Sequence, residues 1–398
     1  MAIQNIISLI MILSVAIADM ATDLYSVALP SIANHFKVDG SVVQLTISLN
    51  LVGFAVSGLV YGPLSDYYGR RPIMLIGMAV FALASVMCCM ANNIILLILV
   101  RFIQGIGAGV AGVVGYAAIR DMYSGSEYSR VISKLNMVVA LSPGIAPVVG
   151  SYIISHGYSW KFLFFIMSLA AVVMFIFIYL KLQETLSVNR SGTSVANLIS
   201  NILKQYILIF RNYRFLGFST IHGLTFMWLW AYVANYPFIF EAMGVEVQYF
   251  GYFISIIVIF FMIGTLINRK CVPKMGVSRM LIVGLALPII PESLLAYFYS
   301  INKLSIFILQ IIWIPSNMGL ALVISNNVTF ALETIKGIGL GSGVLSFCNM
   351  MFGAVGIYVI GQFFSYGVLS NALLTVVCSI IAVLIYYLLE CTKKCHKL

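Results

Sequence analysis

Apolar residues in this chain run in long blocks separated by short polar turns. A helix crossing a bilayer needs roughly 20 apolar residues. Twelve blocks qualify, at about 5–30, 41–62, 72–91, 94–119, 131–155, 160–180, 214–238, 248–268, 280–300, 304–330, 338–363 and 371–390. One connection is long. Residues 181–213 are polar at first and turn amphipathic from about Val195, with Leu198, Ile202 and Ile209 on a helical spacing and Lys204 and Arg211 elsewhere. That stretch predicts a linker carrying an interfacial helix. It divides the chain into an N-terminal half, 1–180, and a C-terminal half, 214–398, of six spans each. The expected fold class is an all-α polytopic membrane protein of twelve transmembrane helices.

Composition agrees. Of the 398 residues, 62% are hydrophobic and 9% charged, and the mean hydropathy is +1.06. A soluble domain carries roughly 25% charged residues. The net charge of +10 would suggest nucleic acid in a soluble protein, but here the placement of the charges matters more. With both termini in the cytoplasm, only Lys37, Lys161 and Lys303 of the 22 Lys and Arg fall outside. Arg101 falls within a span and the remaining eighteen are cytoplasmic, as the positive-inside rule demands. The first block lacks a basic leading region and continues past its acids, so it is expected to be a retained helix. The seven Cys show no paired spacing, and those in apolar runs, such as Cys88 and Cys378, read as small buried side chains. Palmitoylation of Cys391 or Cys395, beside the tail lysines, is the alternative use. No metal-ligand cluster, phosphate loop or nucleophile–His–acid set is legible, so neither a cofactor nor an enzyme is expected.

Charges inside spans need a reason, because each costs about 2.5–3.5 kcal/mol at mid-bilayer. Asp19 and Asp23 lie one helical turn apart in the first span and point to one side. That side is expected to face a central cavity, and the two carboxyls to titrate as a coupled pair. Arg101 in the fourth span is expected to face the bundle interior with a partner, its alternative being to snorkel outward. Glu292, after PIIP in the ninth span, reads as the cap of a broken helix, its alternative being to line the outer vestibule, and His222 reads as a packing residue. Tyr116, Tyr232, Asn235, Tyr236 and Phe240 are expected to supply an aromatic cavity wall suited to lipophilic and cationic compounds.

Four further stretches carry order beyond hydropathy. The loop after the second span reads GPLSDYYGRRPIML: Gly69 permits a sharp turn, Arg70 and Arg71 can bond carboxylates, and Asp66 can meet a helix N-terminus. GRRPIMLIG from Gly69 and GVSRMLIVG from Gly276 form a weak internal repeat, each opening a span of its own half. The fourth span begins RFIQGIGAGVAG, where Gly105, Gly109 and Gly112 share a face for close packing. The fifth carries LSPGIAPVVG, bent and thinned at Pro143, Gly144, Pro147 and Gly150.

These stretches resemble the major facilitator superfamily. Gly62 through Arg71 keeps the order of its signature loop, and Arg101, Gln104 and Gly105 match the Arg-x-x-Gln-Gly motif of its proton-coupled members. The fifth span is similar to the antiporter motif, partially, with Ala146 before Pro147 and Ser151 after Gly150. TDLYSVALP in the first span and AYVANYPF in the seventh resemble segments of drug:proton antiporters of the Bcr/CflA-like and MdfA-like groups.

The resemblance implies a conformational latch built on Gly62, Asp66, Gly69, Arg70 and Arg71. Arg70 would pair with Asp121, and Asp66 would approach the Gly-rich start of the eleventh span. In the second half the matching loop lacks the acid. The resemblance also implies proton-coupled export of amphiphilic drugs by alternating access. Asp23, Asp19 and Arg101 would handle the proton, and Asp19 and Asp23 with the aromatic wall would hold the substrate. The alternative is a physiological solute such as a siderophore, sugar or amino acid, exported or taken up by proton symport. Expected partners are a small molecule, protons and the lipid bilayer, without nucleic acid. The expected setting is a monomer in a bacterial inner membrane.

Overall fold

A backbone in hydrocarbon has no water to bond, so every amide must be satisfied along its own segment. The chain answers with helices. The computed structural model describes residues 2–186, 204–335 and 338–395. Its helices are α1 (Ala2–Ser26), α2 (Leu29–Phe36), α3 (Gly40–Tyr68), α4 (Arg70–Cys89), α5 (Ile94–Met122), α6 (Gly125–Ser155) and α7 (Trp160–Lys181). Then follow α8 (Tyr213–Ala242), α9 (Val247–Met275), α10 (Val277–Ala286), α11 (Ile289–Ser300), α12 (Ile306–Glu333), α13 (Ile338–Gln362) and α14 (Val368–Cys395). The start of the expected interfacial helix, including Leu198 and Ile202, lies outside the described residues, while 204–210 are helical.

Two expected spans are each split in two. The first breaks after Ser26, and the chain restarts as α2 with Pro30 in its opening turn, where a missing N–H costs nothing. The ninth breaks at Leu287–Pro288 between α10 and α11. Elsewhere helices outrun their apolar blocks: α3 continues through Pro63 to Tyr68, and α6 begins at Gly125 rather than near 131.

Among the described residues eleven helical segments are long and apolar enough to cross a membrane, taking α10 and α11 together. The expected seventh span, α8, falls outside that set. At 30 residues it is long enough, about 45 Å at 1.5 Å per residue. Its middle, IHGLTFMWLWAYVANYPF, is rich in His, Trp, Tyr and Asn, which lower its hydropathy.

The chain forms two compact units. The first comprises Met1–Ile202 with Val247–Gly251, and the second Leu203–Glu246 with Tyr252–Leu398. In the first, α5 packs on α3 so closely that a Cβ added at Gly105 would lie 2.0 Å from the Asn50 carbonyl oxygen. One at Gly109 would lie 1.7 Å from Ser57 Oγ. Small residues are how membrane helices reach this spacing without a hydrophobic drive between them. In the second unit, polar side chains fasten the helices. Asn326 Nδ2 donates to Asn268 Oδ1 at 2.7 Å, joining α12 to α9, and Asn327 Nδ2 donates to the Phe218 carbonyl of α8 at 2.8 Å.

The internal repeat has a backbone counterpart. Gly69 joins α3 to α4 with φ 100° and ψ 156°, and Gly276 joins α9 to α10 with φ 83° and ψ 155°. Both sit where only glycine is unstrained.

Candidate functional site

The α1 backbone places Asp19 and Asp23 on one face, half-buried and within electrostatic reach of each other. Asp23 accepts a hydrogen bond from Ser142 Oγ of α6 at 3.4 Å. Ser142 directly precedes Pro143 and Gly144 of the antiporter-like stretch. Further along α6, a Cβ at Gly150 would lie 2.5 Å from the Leu24 carbonyl oxygen, so this glycine lets α6 seat against α1 beside Asp23. The stretch that carries Pro143 and Pro147 within α6 is therefore built against the aspartate helix. Tyr116, on α5, is half-buried and donates to Asn136 Oδ1 at 2.9 Å.

The same part of α1 is tied down on its other side. Thr22 Oγ1 donates to Asn50 Oδ1 at 3.1 Å, and Asn50 Nδ2 donates to the Arg101 carbonyl at 2.9 Å. Tyr25 and Thr46 share a hydroxyl hydrogen bond of 2.7 Å. This polar ladder joins α1, α3 and α5 around the acids.

Arg101 is fully buried, so it turns inward rather than snorkelling. Its Nη1 donates to Gln104 Oε1 and its Nε to the Thr46 carbonyl at 3.4 Å. Gln104 Nε2 in turn donates to Ser85 Oγ at 2.7 Å. The guanidinium lies over the Tyr25 ring, 4.5 Å from its centroid, with Phe164 at 5.8 Å. The partner set is thus amide, carbonyl and aromatic. Among the described residues the ion pairs are those of Arg70, and Arg101 makes none with Asp19 or Asp23. Arg101 reaches the acids indirectly, its guanidinium through Tyr25, two residues beyond Asp23, and its carbonyl through Asn50 and Thr22.

At the α3–α4 junction the structure brings the charged loop into one cluster. Arg70 is buried, and its Nε donates to Asp121 Oδ2 of α5 at 2.9 Å. Its Nη1 meets Asp66 Oδ1 and donates to Ser65 Oγ at 2.7 Å. A Cβ added at Gly62, one turn before Asp66, would lie 3.7 Å from Val113 of α5, an ordinary contact. Arg71 Nη2 donates to the Tyr179 carbonyl at 2.8 Å. The sequence reading had no place for Glu184. Its carboxylate accepts from the Arg70 and Arg71 backbone N–H groups at 2.8 and 3.2 Å, capping α4 where Gly69 has no side chain to offer. The only hint was an acid in the polar start of the long connection. Of the Gly-rich start of the eleventh span that Asp66 was expected to approach, KGIGLGSG, the first two residues, Lys336 and Gly337, lie outside the described residues.

In the second unit, Tyr232, Tyr236 and Phe240 pack around Trp313. Their ring centroids stand 5.2, 4.4 and 6.3 Å from it, and all are buried. Asn235 is buried too, and its Nδ2 donates to Asn371 Oδ1 at 2.9 Å. Glu292 does not cap α11, whose N-terminus has no side-chain cap bond; its carboxyl turns to other helices. It is wholly buried and accepts from Tyr232 Oη at 2.5 Å and Ser316 Oγ at 2.8 Å. His222 is buried beside Phe226, ring to ring at 4.8 Å.

Comparison with known proteins fits this arrangement. The model of the Major Facilitator Superfamily matches residues 11–357. A transporter of Rickettsia felis is 30% identical over 389 residues, 94% of each chain. A bicyclomycin resistance protein homolog of Haemophilus influenzae is 28% identical over 283 residues, 70% of each chain. In fold, the chain is similar to the xylose transporter XylE of E. coli, captured partially occluded and inward open. The TM-score is 0.74 at 12% identity, over 96% of this chain and 97% of that one. The helical fold, the charged α3–α4 junction and the family match agree: this chain belongs to the Major Facilitator Superfamily and is a multi-pass membrane transporter.

Proposed function

We propose that the protein is a proton-coupled exporter of small amphiphilic compounds, working by alternating access. The observation that carries this reading is the Asp23 site. A carboxyl inside a membrane helix is bonded by Ser142 of the antiporter-like helix and flanked by Asp19 one turn away. The bicyclomycin resistance homolog supports drug-like cargo. The likeness to XylE bears on the fold alone and does not argue for sugar.

The mechanism is competition for one site. With the cavity open outward, a proton reaches Asp23 and displaces the substrate. With the cavity open inward, substrate binding favours loss of that proton to the cytoplasm. Each charge that crosses is worth about 2.3 kcal/mol per 100 mV. In this reading twelve spans cross the bilayer with both termini inside, α8 being the seventh. The Asp66–Arg70–Asp121 cluster is a cytoplasmic latch holding the outward-open state.

Proton release from purified protein tests the reading, with lipophilic cations, neutral antibiotics, sugars and amino acids added in turn. A lipophilic cation or antibiotic is expected to release protons near neutral pH, and Asp23→Asn to abolish the release. Release that survives in Asp23→Asn would overturn the site, and release by sugars alone would overturn the cargo class.

A further inference from the structure

The first unit holds the acids discussed so far, yet the second has one of its own. Glu292 lies in the first turn of α11, just past the Leu287–Pro288 break, with none of its surface exposed. Its two carboxyl oxygens each meet one hydroxyl: Tyr232 Oη of α8 at 2.5 Å and Ser316 Oγ of α12 at 2.8 Å. No cation joins them, since the ion pairs among the described residues are those of Arg70. The other titratable group within electrostatic reach of Glu292 is Tyr236 of α8, neutral in kind. On α14 the buried Cys378 is likewise neutral in kind, and α12 carries no titratable residue before Glu333 at its end.

An uncompensated carboxylate in such a place is costly, and a protein commonly avoids the cost by binding a proton instead. The partners suit a group that changes state. A Lys or Arg can only donate and would hold the acid as an anion, whereas a hydroxyl both donates and accepts. Tyr232 and Ser316 can therefore satisfy Glu292 with or without its proton. The three residues come from three helices that meet at the broken span, so relative motion of α8, α11 and α12 would alter the set. Trp313, 5.2 Å from the Tyr232 ring, closes the site.

We propose that Glu292 is a second proton-carrying carboxyl of this transporter, with Tyr232 and Ser316 as its hydroxyl ligands. The proposal builds on the proton-coupled reading above, and the first arm of its test needs no substrate. Infrared difference spectra of the full-length protein in lipid, titrated from acid to alkaline pH, report carboxylic acid directly. A protonated-carboxyl band that titrates is expected in wild type and in Asp23→Asn, and its loss in Glu292→Gln. Tyr232→Phe, which keeps the acid and removes one hydroxyl, is expected to move the same band to higher frequency. That variant serves if Glu292→Gln does not fold. Identical spectra for wild type and Glu292→Gln would overturn the proposal, and so would a Glu292 band that never responds to pH.

The second arm counts protons released when tetraphenylphosphonium binds. Because the probe binds at Asp23 in the export reading, Asp23→Asn releases nothing from either carboxyl. Glu292→Gln, which keeps that site, is expected to release one fewer proton per bound probe than wild type, and an unchanged count would overturn a role in coupling. Absence of any release in wild type, with the infrared band intact, would instead count against the export reading and leave the carboxyl site standing.

Discussion

Arg101 shows how a charge can be kept inside a membrane protein without a counter-charge. Its Nη1 and Nε donate to an amide and a carbonyl, its Nη2 is buried without a hydrogen-bond partner, and its flat face rests on Tyr25. Lysine has neither the planar fork nor the stacking face. Arg101→Lys is therefore expected to lower stability by about 1–3 kcal/mol, read as an earlier thermal unfolding transition of the purified protein. Unchanged unfolding would mean that the fork contributes nothing. Because Arg101 does not pair with Asp23, this variant is also expected to keep substrate-induced proton release. Asp19 and Asp23 differ in surroundings as well as sequence: Asp23 has the Ser142 hydroxyl, and the antiporter-like helix seats beside it.

Between elements, glycine sets how near two helices come. Gly105 and Gly112 lie two turns apart on α5, but they are not equivalent. A Cβ at Gly105 would sit 2.0 Å from the Asn50 carbonyl oxygen, while one at Gly112 would sit 3.7 Å from the Phe54 ring. Overpacking typically costs about 1–3 kcal/mol, and ordinary contact costs little. Gly105→Ala is expected to destabilise by that amount and to disturb the Asn50 bond to the Arg101 carbonyl. Gly112→Ala is expected to unfold with wild type. Equal melting of the two variants would show that α3 and α5 adjust freely. The same logic explains why the shared-face reading of the glycines was right about packing but silent about which ones touch backbone. Spacing shows which residues share a face, and only coordinates show what the face meets.

At the scale of the molecule, the charged α3–α4 junction and the lopsided distribution of basic residues carry the expectations. Asp66 is exposed and meets Arg70, which also holds Asp121. Asp66→Ala is expected to slow transport while leaving substrate affinity near wild type, measured as uptake into inverted vesicles beside equilibrium binding. Normal turnover would argue against the latch. Orientation has its own test in a variant with the native cysteines replaced. A cysteine at Lys303 is expected to react with an impermeant maleimide in intact cells, and one at Arg269 only after permeabilisation. The reverse pattern would overturn the placement of the termini and the count of twelve spans that depends on α8.

Much of this was legible in the chain itself. Burial in hydrocarbon leaves a long apolar run one regular solution, so the all-helical character and the approximate place of most spans follow from local composition, whereas the breaks after Ser26 and at Leu287–Pro288 and the extensions of α3 and α6 do not. The all-α class, the transporter family and the glycine turns at Gly69 and Gly276 could be read in the same way. What the sequence could not reach were contacts between residues far apart along it: Glu184 capping α4, Ser142 on Asp23, Tyr25 beneath Arg101, and Tyr232 with Ser316 on Glu292. Each depends on the rotation and depth of one helix against another, which packing decides. The α8 aromatics make the point most sharply. Their composition says nothing of Trp313, more than 70 residues away in the chain, around which Tyr232, Tyr236 and Phe240 form one buried cluster.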